Sequence, residues 1–414
     1  MSKNIVLLAD GTWNDGEASN TNIHWLDANL INDSTQRVFY ERGVGTDWFN
    51  ERTGGALGVG LSRNVRTLYA DLVNTYETGD DVYCFGFSRG AYTVRSLCGF
   101  VKLVGRIKSS DEKDIQAAYQ FYRYHEPNEE DNWFEKLLKP ESVGEIPIRF
   151  VGVFDTVGAL GVPFEIENQA DDEESSILER LRDNVLDRID RLGDRLRKPI
   201  TGFHDTTLGS NVEEAYHAVA LDERRNLFAP TLWSDIAGNA FKLDSAGSRS
   251  DITQTVEQRW FAGVHSDIGG GYEIDESEKH AHIPLYWIAA HAKNSGLRFT
   301  DGFNQLKSRV EGGLFLSPLH DSMTERWKKT HKALKKSPIT RPVGNVARKN
   351  SPTSAVADLL VNTKEVIDPS VSKRVGNEIR IISEATPEGI KTIYQPQNYD
   401  ESLVENSSEI VGSA

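Results

Sequence analysis

The sequence has few cysteines and no long apolar run. Its two cysteines, Cys84 and Cys98, fall in a predicted strand and in the helix after it, where we expect reduced, buried thiols and no disulfide framework. No apolar stretch approaches the roughly 20 residues that a membrane-spanning helix needs. The apolar run at residues 5–9 is too short for a secretory signal peptide. We therefore expect a cytoplasmic protein, for which export would require a dedicated secretion system.

Basic residues are fewer than acidic ones. The 414 residues include 62 acidic and 47 basic ones, which gives a formal net charge of -15. This balance argues against nucleic acid as a partner, but it leaves a lipid or a small ester open as substrate. With 38% hydrophobic residues, a chain of this length can build a large core. That core would belong to one large domain with insertions or to two domains.

Strand and helix patterns alternate along the first part of the chain. The alternation predicts an α/β fold, in which a mostly parallel sheet carries helices on both faces. In such sheets the functional groups collect where the strands end. The predicted strands cover residues 5–9, 37–40, 82–85, 148–154 and 258–264, and the predicted helices cover residues 23–31, 64–76, 91–101, 211–225 and 284–293.

The segment from Gly86 to Gly90 reads Gly-Phe-Ser-Arg-Gly and lies between a predicted strand and a predicted helix. A serine in a turn is usually only a turn residue. Here, however, Ser88 would occupy a strained turn in which only the flanking glycines let strand and helix pass so close. The turn would expose the Ser88 hydroxyl at the sheet edge and aim the first N–H groups of the helix at it. A nucleophilic Ser88 is therefore our leading hypothesis.

A nucleophilic serine needs a base to remove its proton and a third group to orient that base. Asp155 and His265 each follow a predicted strand, and the order Ser88, Asp155, His265 is the one that α/β-hydrolases use. We expect Ser88 to be the nucleophile, His265 to be general base and then general acid, and Asp155 to orient the imidazole. A carboxylate after a strand is often only a helix cap, and Asp267 and Asp222 are rivals for the role of Asp155.

His265 is selected from 10 histidines because it stands between an apolar strand and a glycine run. Glycines at that point would let the backbone crowd the site and leave the imidazole ring open to it. His217 and His291 lie within helical patterns, so we expect them to pack or to cap.

The oxyanion that forms during acyl transfer needs N–H donors. We expect one donor to be the N–H of Arg89 and the other to come from Gly11 or Thr12, in the loop after the first strand. Asp10 could orient that loop through hydrogen bonds, and Asp10 and Asp267 are the supporting residues we predict. We expect the Arg89 guanidinium to pair with a structural carboxylate rather than with a substrate phosphate.

Six motifs occur in order along the chain. They are LLADGTWND, GVGT, GFSRGAYTVRSL, VGVFDTVGALG, YHAVALDERR with FAPTLW, and WFAGVHSDIGGGY. Together they resemble the α/β-hydrolase family long catalogued as a domain of unknown function, which includes phospholipase effectors of bacterial type VI secretion. The resemblance places the serine of the family on Ser88, its acid on Asp155 and its histidine on His265. It implies hydrolysis of a carboxylic ester, in the effector members a phospholipid acyl ester, and it suggests a cognate inhibitor or immunity protein as partner.

We expect residues 1–300 to form the catalytic core and residues 301–414 to form a C-terminal extension with a flexible tail. Helical insertions at about 108–145 and 165–210 would cap the site and select the substrate. Within the second insertion, residues 171–198 predict a long helix with a narrow apolar stripe. This helix would pack on the domain, or it would act as a lid or make a transient contact with a membrane surface.

Two other functions remain open. Asp10, Asp155, His265 and Asp267 could hold a divalent metal for phosphoester hydrolysis, although no closely spaced ligand motif supports such a site. The chain could also be a hydrolase-like binding protein without activity. The serine hydrolase that we favour needs no metal and no cofactor. A chelator would separate it from the first alternative, and a fluorophosphonate probe would separate it from the second.

Overall fold

The computed structural model describes residues 2–11, 20–43, 55–124, 140–157, 207–233, 235–333, 337–341, 343 and 364–404, and the structural statements below concern these residues. The strands, in chain order, are β1 (Asn4–Ala9), β2 (Gln36–Glu41), β3 (Asp81–Phe87), β4 (Arg106–Ile107), β5 (Ser142–Gly144), β6 (Ile148–Phe154), β7 (Thr207–Leu208), β8 (Val212–Ala220), β9 (Asp235–Ile236), β10 (Asn239–Leu243), β11 (Arg249–Thr253), β12 (Thr255–Phe261), β13 (Leu319–His320), β14 (Glu365–Ile367), β15 (Glu378–Ser383) and β16 (Thr386–Ile393).

The helices lie between these strands. They are α1 (Asn22–Asn29), α2 (Gly55–Thr75), α3 (Arg89–Val104), α4 (Glu112–Tyr124), α5 (His265–Gly269), α6 (His282–Asn294), α7 (Gly302–Glu311), α8 (Glu325–Ala333) and α9 (Pro369–Arg374). In the described ranges we find no helix that is long and apolar enough to cross a membrane.

A seven-stranded sheet forms the centre of the molecule. Its strand order is β14-β12-β8-β6-β3-β1-β2, and every neighbouring pair is parallel. Because successive side chains of a strand point to opposite faces, β1 contributes to two cores: Ile5 and Leu7 pack on the face that α2, α3 and α4 cover, and Val6 and Leu8 pack on the face of α1 and α6. The predicted α/β fold with helices on both faces is confirmed.

A third apolar cluster joins the C-terminal part of the chain to the edge of the sheet. In this cluster Trp260 of β12 packs with Val343, Ile367 and Ile379. The edge strand β14 lies beyond residue 300 and pairs with β12 from Gln258 opposite Glu365. The division of the chain at residue 300 stays a prediction.

One predicted element is wrong. Residues 211–225 were expected to form a helix, but they contain the strand β8, which lies between β6 and β12 in the sheet. Val212, Ala215, Tyr216 and Val219 do recur at helical spacing, which explains the error. However, every residue from Ala215 to Ala220 is buried, as is normal for a parallel strand that is covered on both faces.

The predicted insertions are described only in part. The first, at about 108–145, contains α4 and β5, and β5 pairs antiparallel with β4 just before the insertion. Most of the second, at about 165–210, lies outside the described residues, and so does the predicted helix at 171–198.

Candidate active site

Ser88 lies between β3 and α3 in a strained backbone conformation. Its φ of 57° and ψ of -120° are unfavourable for a residue with a side chain. The flanking glycines allow the close approach of strand and helix. A Cβ atom on Gly86 would lie 2.5 Å from the carbonyl oxygen of Gly90, and one on Gly90 would lie 2.1 Å from that of Ala9. The segment therefore has the sharp strand-to-helix turn that its sequence predicts.

The structure brings Ser88, His265 and Asp155 together at the carboxyl ends of three strands. Nε2 of His265 lies 2.8 Å from Oγ of Ser88, and Nδ1 of His265 lies 2.6 Å from Oδ2 of Asp155. Asp155 directly follows β6, and His265 begins the short helix α5 after β12. All three side chains are buried. The hydrogen-bond chain runs from a hydroxyl through an imidazole to a carboxylate, so the imidazole can accept the serine proton.

The two rival carboxylates do not contact His265. Asp222 accepts hydrogen bonds from the backbone N–H of Gly263 and from the hydroxyl of Tyr394. Asp267 accepts hydrogen bonds from both the backbone N–H and the imidazole of His320. Of the three candidates for the acid, Asp155 is therefore the one placed to orient His265.

Asp155 is held on its other side by Arg341. Nη1 of Arg341 donates to Oδ1 of Asp155 at 2.6 Å, and Nη2 donates to Oδ2 at 3.0 Å. Arg341 also donates to the backbone carbonyls of Ala220 and Phe228. Its own carbonyl accepts a hydrogen bond from Asn398. The Asp155 carboxylate therefore receives charge-assisted bonds from an arginine fork and from the imidazole of His265 at the same time.

These contacts set the charge states of the pair. Burial acts to raise the pKa of Asp155, but the charge of Arg341 and the hydrogen bond from His265 outweigh it and hold the pKa well below its ordinary value. Burial lowers the pKa of His265, although Asp155 opposes this effect. A neutral imidazole next to an ionised carboxylate is the arrangement that a general base needs.

Aromatic rings and a second ion pair fix the position of His265. Its ring lies 4.7 Å from the ring of Phe87 and 4.9 Å from the ring of Phe228. Its backbone N–H donates to the buried carboxylate of Glu223, which also accepts hydrogen bonds from the Arg225 side chain. Arg225 in turn stacks on Phe228, with its guanidinium carbon 3.6 Å from the ring centroid. His265 is therefore anchored through both its main chain and its side chain.

The predicted oxyanion donors have different surroundings. Arg89 is the first residue of α3, so its N–H belongs to the first turn of a helix that begins at Ser88. Burial lowers the pKa of its guanidinium to about 10. Gly11 lies close to Ser88, since a Cβ atom at Gly11 would lie 3.5 Å from the Cβ of Ser88. Thr12 lies outside the described residues.

Asp10, directly after β1, accepts three hydrogen bonds. Its Oδ1 accepts the N–H of Gly11 at 2.6 Å, and its Oδ2 accepts the hydroxyls of Thr21 and Tyr40, each at 2.7 Å. The carboxylate thus links Gly11 to Thr21 before α1 and to Tyr40 of β2, and the supporting role of Asp10 stays a prediction. If Gly11 is an oxyanion donor, its N–H must either donate to Asp10 and to the oxyanion at the same time or leave Asp10 for the oxyanion.

The four side chains of the metal hypothesis do not converge. Asp155 and His265 are hydrogen-bonded to each other, whereas Asp10 and Asp267 have the separate partners given above. Within the described part of the chain, no three His, Cys, Asp or Glu side chains are placed to hold a metal ion. This arrangement gives the metal hypothesis no support.

A cavity of about 630 Å³ opens beside His265. One part of its wall is aromatic and includes Phe87, Phe228 and Trp327, whereas another part carries polar groups such as His320 and Ser322. A ligand with both an apolar and a polar portion fits such a wall.

Sequence reasoning missed several residues around the site. Arg341 and Glu223 are both buried and charged. Glu223 lies within the YHAVALDERR motif, which could have indicated it, whereas Arg341 lies in none of the six motifs. His217, which was placed in a helix, lies on β8. There its Nε2 accepts the N–H of Thr156, next to Asp155, and its Nδ1 lies 3.1 Å from the side-chain oxygen of Gln258. Burial and the nearby Arg95 lower its pKa to about 3, so His217 is a neutral packing residue.

Comparison with known proteins gives a family match. The sequence model of the family described as "T6SS, Phospholipase effector Tle1-like, catalytic domain" matches residues 3–291. This range includes Ser88, Asp155 and His265, whereas Arg341 lies beyond it.

Two individual proteins are also similar. The uncharacterized protein YEL023C of Saccharomyces cerevisiae is 24% identical, and the match covers 72% of this chain and 58% of that protein. The chain therefore spans a little over half the length of this relative. A crystal structure of an uncharacterized protein from Pseudomonas aeruginosa covers 74% of this chain and 48% of that one, with 17% identity and a TM-score of 0.37. A TM-score of 0.37 does not establish a common fold.

Proposed function

This chain belongs to the family of Tle1-like T6SS phospholipase effector catalytic domains, and we propose that it is a serine hydrolase that cleaves acyl esters of phospholipids through a covalent acyl-enzyme. Membership in the family supports hydrolysis of lipid esters in general. In the reaction that we propose, Ser88 is the nucleophile, His265 is the general base and Asp155 is the carboxylate that orients His265.

One observation carries the proposal. A strained serine, an imidazole and an ionised carboxylate form a hydrogen-bond chain with distances of 2.8 and 2.6 Å, beside a cavity of about 630 Å³. Backbone strain at a residue persists only where the surrounding structure holds it, and it often accompanies function. A serine in a purely structural turn does not need a base at its hydroxyl.

In the acylation step, Oγ of Ser88 attacks the ester carbonyl while its proton moves to Nε2 of His265. The negative charge that forms on the carbonyl oxygen is stabilised by the N–H of Arg89 and by a second donor in the loop that contains Gly11 and Thr12. The imidazolium is stabilised by Asp155. When the tetrahedral intermediate collapses, His265 gives the proton to the leaving alcohol, which departs, and the acyl group stays on Ser88.

In the deacylation step, water attacks the acyl-enzyme and gives its proton to His265. The second tetrahedral intermediate releases the fatty acid, and the proton returns to Oγ of Ser88. Asp155 stays ionised throughout and keeps the imidazole in the tautomer that accepts at Nε2. Arg341 supports this role, because a buried carboxylate needs a partner to remain charged.

The decisive experiment compares the purified protein with Ser88→Ala. We expect the unmodified protein to convert phospholipid vesicles into lysophospholipid and free fatty acid, measured by mass spectrometry, and to add one fluorophosphonate group per chain. Ser88→Ala should do neither. Equal hydrolysis by both proteins would refute the proposal. Activity that depends on a divalent metal and persists in Ser88→Ala would favour the metal phosphoesterase instead.

Two further partners belong to the proposal. A phospholipid in a bilayer is reached only at the membrane surface, so we propose a transient contact of the protein with that surface. Family membership also supports a cognate immunity protein as partner. Co-expression that abolishes lysophospholipid formation in cells, without loss of the hydrolase itself, is the readout for such a protein.

A further inference from the structure

A second histidine–aspartate pair lies in the wall of the cavity that contains His265. Nδ1 of His320 lies 2.6 Å from Oδ1 of Asp267, and the backbone N–H of His320 donates to Oδ2 of the same carboxylate at 3.0 Å. Tyr272 stacks on the His320 ring with a centroid separation of 3.6 Å. The ring is therefore fixed by two hydrogen bonds and a stacked neighbour.

This arrangement leaves one ring nitrogen for the cavity. Because Nδ1 is committed to Asp267, Nε2 is the nitrogen that His320 can offer to a ligand, and among the described residues no group hydrogen-bonds to it. The His320 side chain is 11% exposed. A histidine ring that carries a proton on each nitrogen can donate to a carboxylate from one nitrogen and to an anionic ligand from the other.

We propose that Nε2 of His320 binds the phosphate of the phospholipid headgroup while the acyl ester lies at Ser88, so that His320 determines specificity for phospholipids over neutral acylglycerols. The proposal rests on the serine hydrolase assigned above and adds the group that recognises the substrate. His265 and His320 line one cavity, and Asp267, which holds His320, lies two residues after His265 in α5. The ester and phosphate positions are thus tied to the same short helix.

The charges around the cavity guide the choice of probe. Arg225 lines the cavity, but its charge is balanced by Glu223. Three carboxylates also line it, from Glu273, Asp321 and Glu384, and that of Asp321 is paired with Arg224. Carboxylates repel a headgroup with a net negative charge and attract an ammonium group. Phosphatidylcholine is therefore the suitable probe, because its quaternary ammonium offsets its phosphate, and diacylglycerol with the same acyl chains is the matched substrate without phosphate.

The simplest structural alternative is that His320 only ties β13 to α5 through Asp267. Two substitutions separate this alternative from ligand binding. The amide nitrogen of asparagine can replace Nδ1, so His320→Asn keeps the bond to Asp267 and removes Nε2. The longer glutamine places its amide near the position of Nε2, so His320→Gln weakens the tether and keeps a donor for the ligand. His24→Gln is the control, because His24 is exposed on α1.

Hydrolysis of the two lipids in the same mixed micelles tests the proposal. We expect His320→Asn to raise the KM for phosphatidylcholine on the order of tenfold, as loss of one charge-assisted hydrogen bond would, with kcat within about twofold. Its kinetics on diacylglycerol should stay unchanged, and His320→Gln should recover part of the lost affinity. Glycerophosphocholine should slow fluorophosphonate labelling of Ser88 in the unmodified protein and in His24→Gln, but not in His320→Asn.

Two outcomes would overturn the inference. One is a loss of kcat that is equal on the two lipids and larger in His320→Gln than in His320→Asn. Only a structural tether between His320 and Asp267 predicts that order of the two variants. The other is an unchanged KM for phosphatidylcholine in a folded His320→Asn protein, with folding checked by its melting temperature. Neither outcome bears on the proposed serine mechanism, which is refuted only if Ser88→Ala remains active.

Discussion

Arg341 and Asp155 form a fully buried ion pair, in which the arginine fork faces both carboxylate oxygens at 2.6 and 3.0 Å. Arg341 lies 50 residues beyond position 291, where the family match ends. The C-terminal part of the chain therefore supplies a contact to the carboxylate that we assign as the catalytic acid. This geometry makes Arg341 a positioning residue for the proposed reaction.

Replacement of Arg341 should damage both stability and activity. Arg341→Met leaves a buried carboxylate without its cation, and removal of one partner from such a pair typically costs about 3–5 kcal/mol of unfolding free energy. A small displacement of Asp155 and His265 should also lower kcat/KM on the order of 100-fold. Arg341→Lys keeps the charge but loses the fork, so its losses should be smaller. Urea unfolding and ester hydrolysis measure the two effects.

The pH profile separates an electrostatic role of Arg341 from a purely structural one. Loss of a nearby cation raises the pKa of both Asp155 and His265, while the other charged groups near His265, Glu223 and Arg225, are unchanged. Catalysis needs a neutral imidazole, so the acid limb of kcat/KM should move to higher pH in Arg341→Met and stay in place in Arg341→Lys. A reduced rate with an unmoved acid limb in Arg341→Met would contradict the electrostatic role.

The sequence indicates Ser88, Asp155 and His265 because each directly follows a strand pattern, and parallel strands bring their carboxyl ends to one edge of the sheet. Arg341 offers no such signal. It lies in an irregular segment that follows a basic stretch, and its partner Asp155 is 186 residues away. Arg341 and Asp155 come together because the C-terminal part of the chain, which includes β14, packs against β12. The local periodicity of a sequence carries no information about such a long-range contact.

Strand β8 shows where periodicity itself fails. A strand buried on both faces has no alternation of polar and apolar residues, so the apolar positions of residues 212–220 can also be read at helical spacing. His217 lies on this buried strand, behind the site, and not on a helix. In contrast, β1 and β3 were recognisable because glycine-containing turns follow their β-branched and aromatic runs.

Backbone strain at Ser88 predicts a gain in stability when the side chain is removed. Ser88→Gly should raise the unfolding free energy relative to Ser88→Ala by about 1–2 kcal/mol, because glycine adopts a φ of 57° with a ψ of -120° without the Cβ penalty. Both variants should lack esterase activity. Urea unfolding of the two inactive proteins measures the difference, and equal stabilities would mean that the turn is not strained in solution.

The close approach at Gly90 predicts a steric requirement. In Gly90→Ala the new Cβ would lie 2.1 Å from the carbonyl oxygen of Ala9, and the contact involves main-chain atoms that cannot rotate away. We expect a loss of about 3 kcal/mol or more of unfolding free energy, together with loss of fluorophosphonate labelling. Gly144→Ala is the control, because a Cβ there meets nothing within 4 Å. It should change stability by no more than about 0.5 kcal/mol.

The half-buried His291 predicts a loss of stability in mild acid. His291 stacks on Tyr216, and burial, aided by the charge of Arg259, lowers its pKa to about 4. Between pH 7 and pH 5 the unfolded chain protonates this histidine, whose ordinary pKa is about 6.5, whereas the folded protein does not. The contribution of His291 is therefore fully present above the unfolded pKa and falls as the pH drops toward 4.

His291→Gln isolates this contribution. Each group with such a shift destabilises the folded state by about 2 kcal/mol between pH 7 and pH 5, so the drop in unfolding free energy over this range should be smaller by about that amount in the variant. His24→Gln, at an exposed position, should leave the drop unchanged. Urea unfolding at both pH values gives the comparison. An identical drop in all three proteins would show that His291 is protonated in the folded state at pH 5, contrary to its lowered pKa.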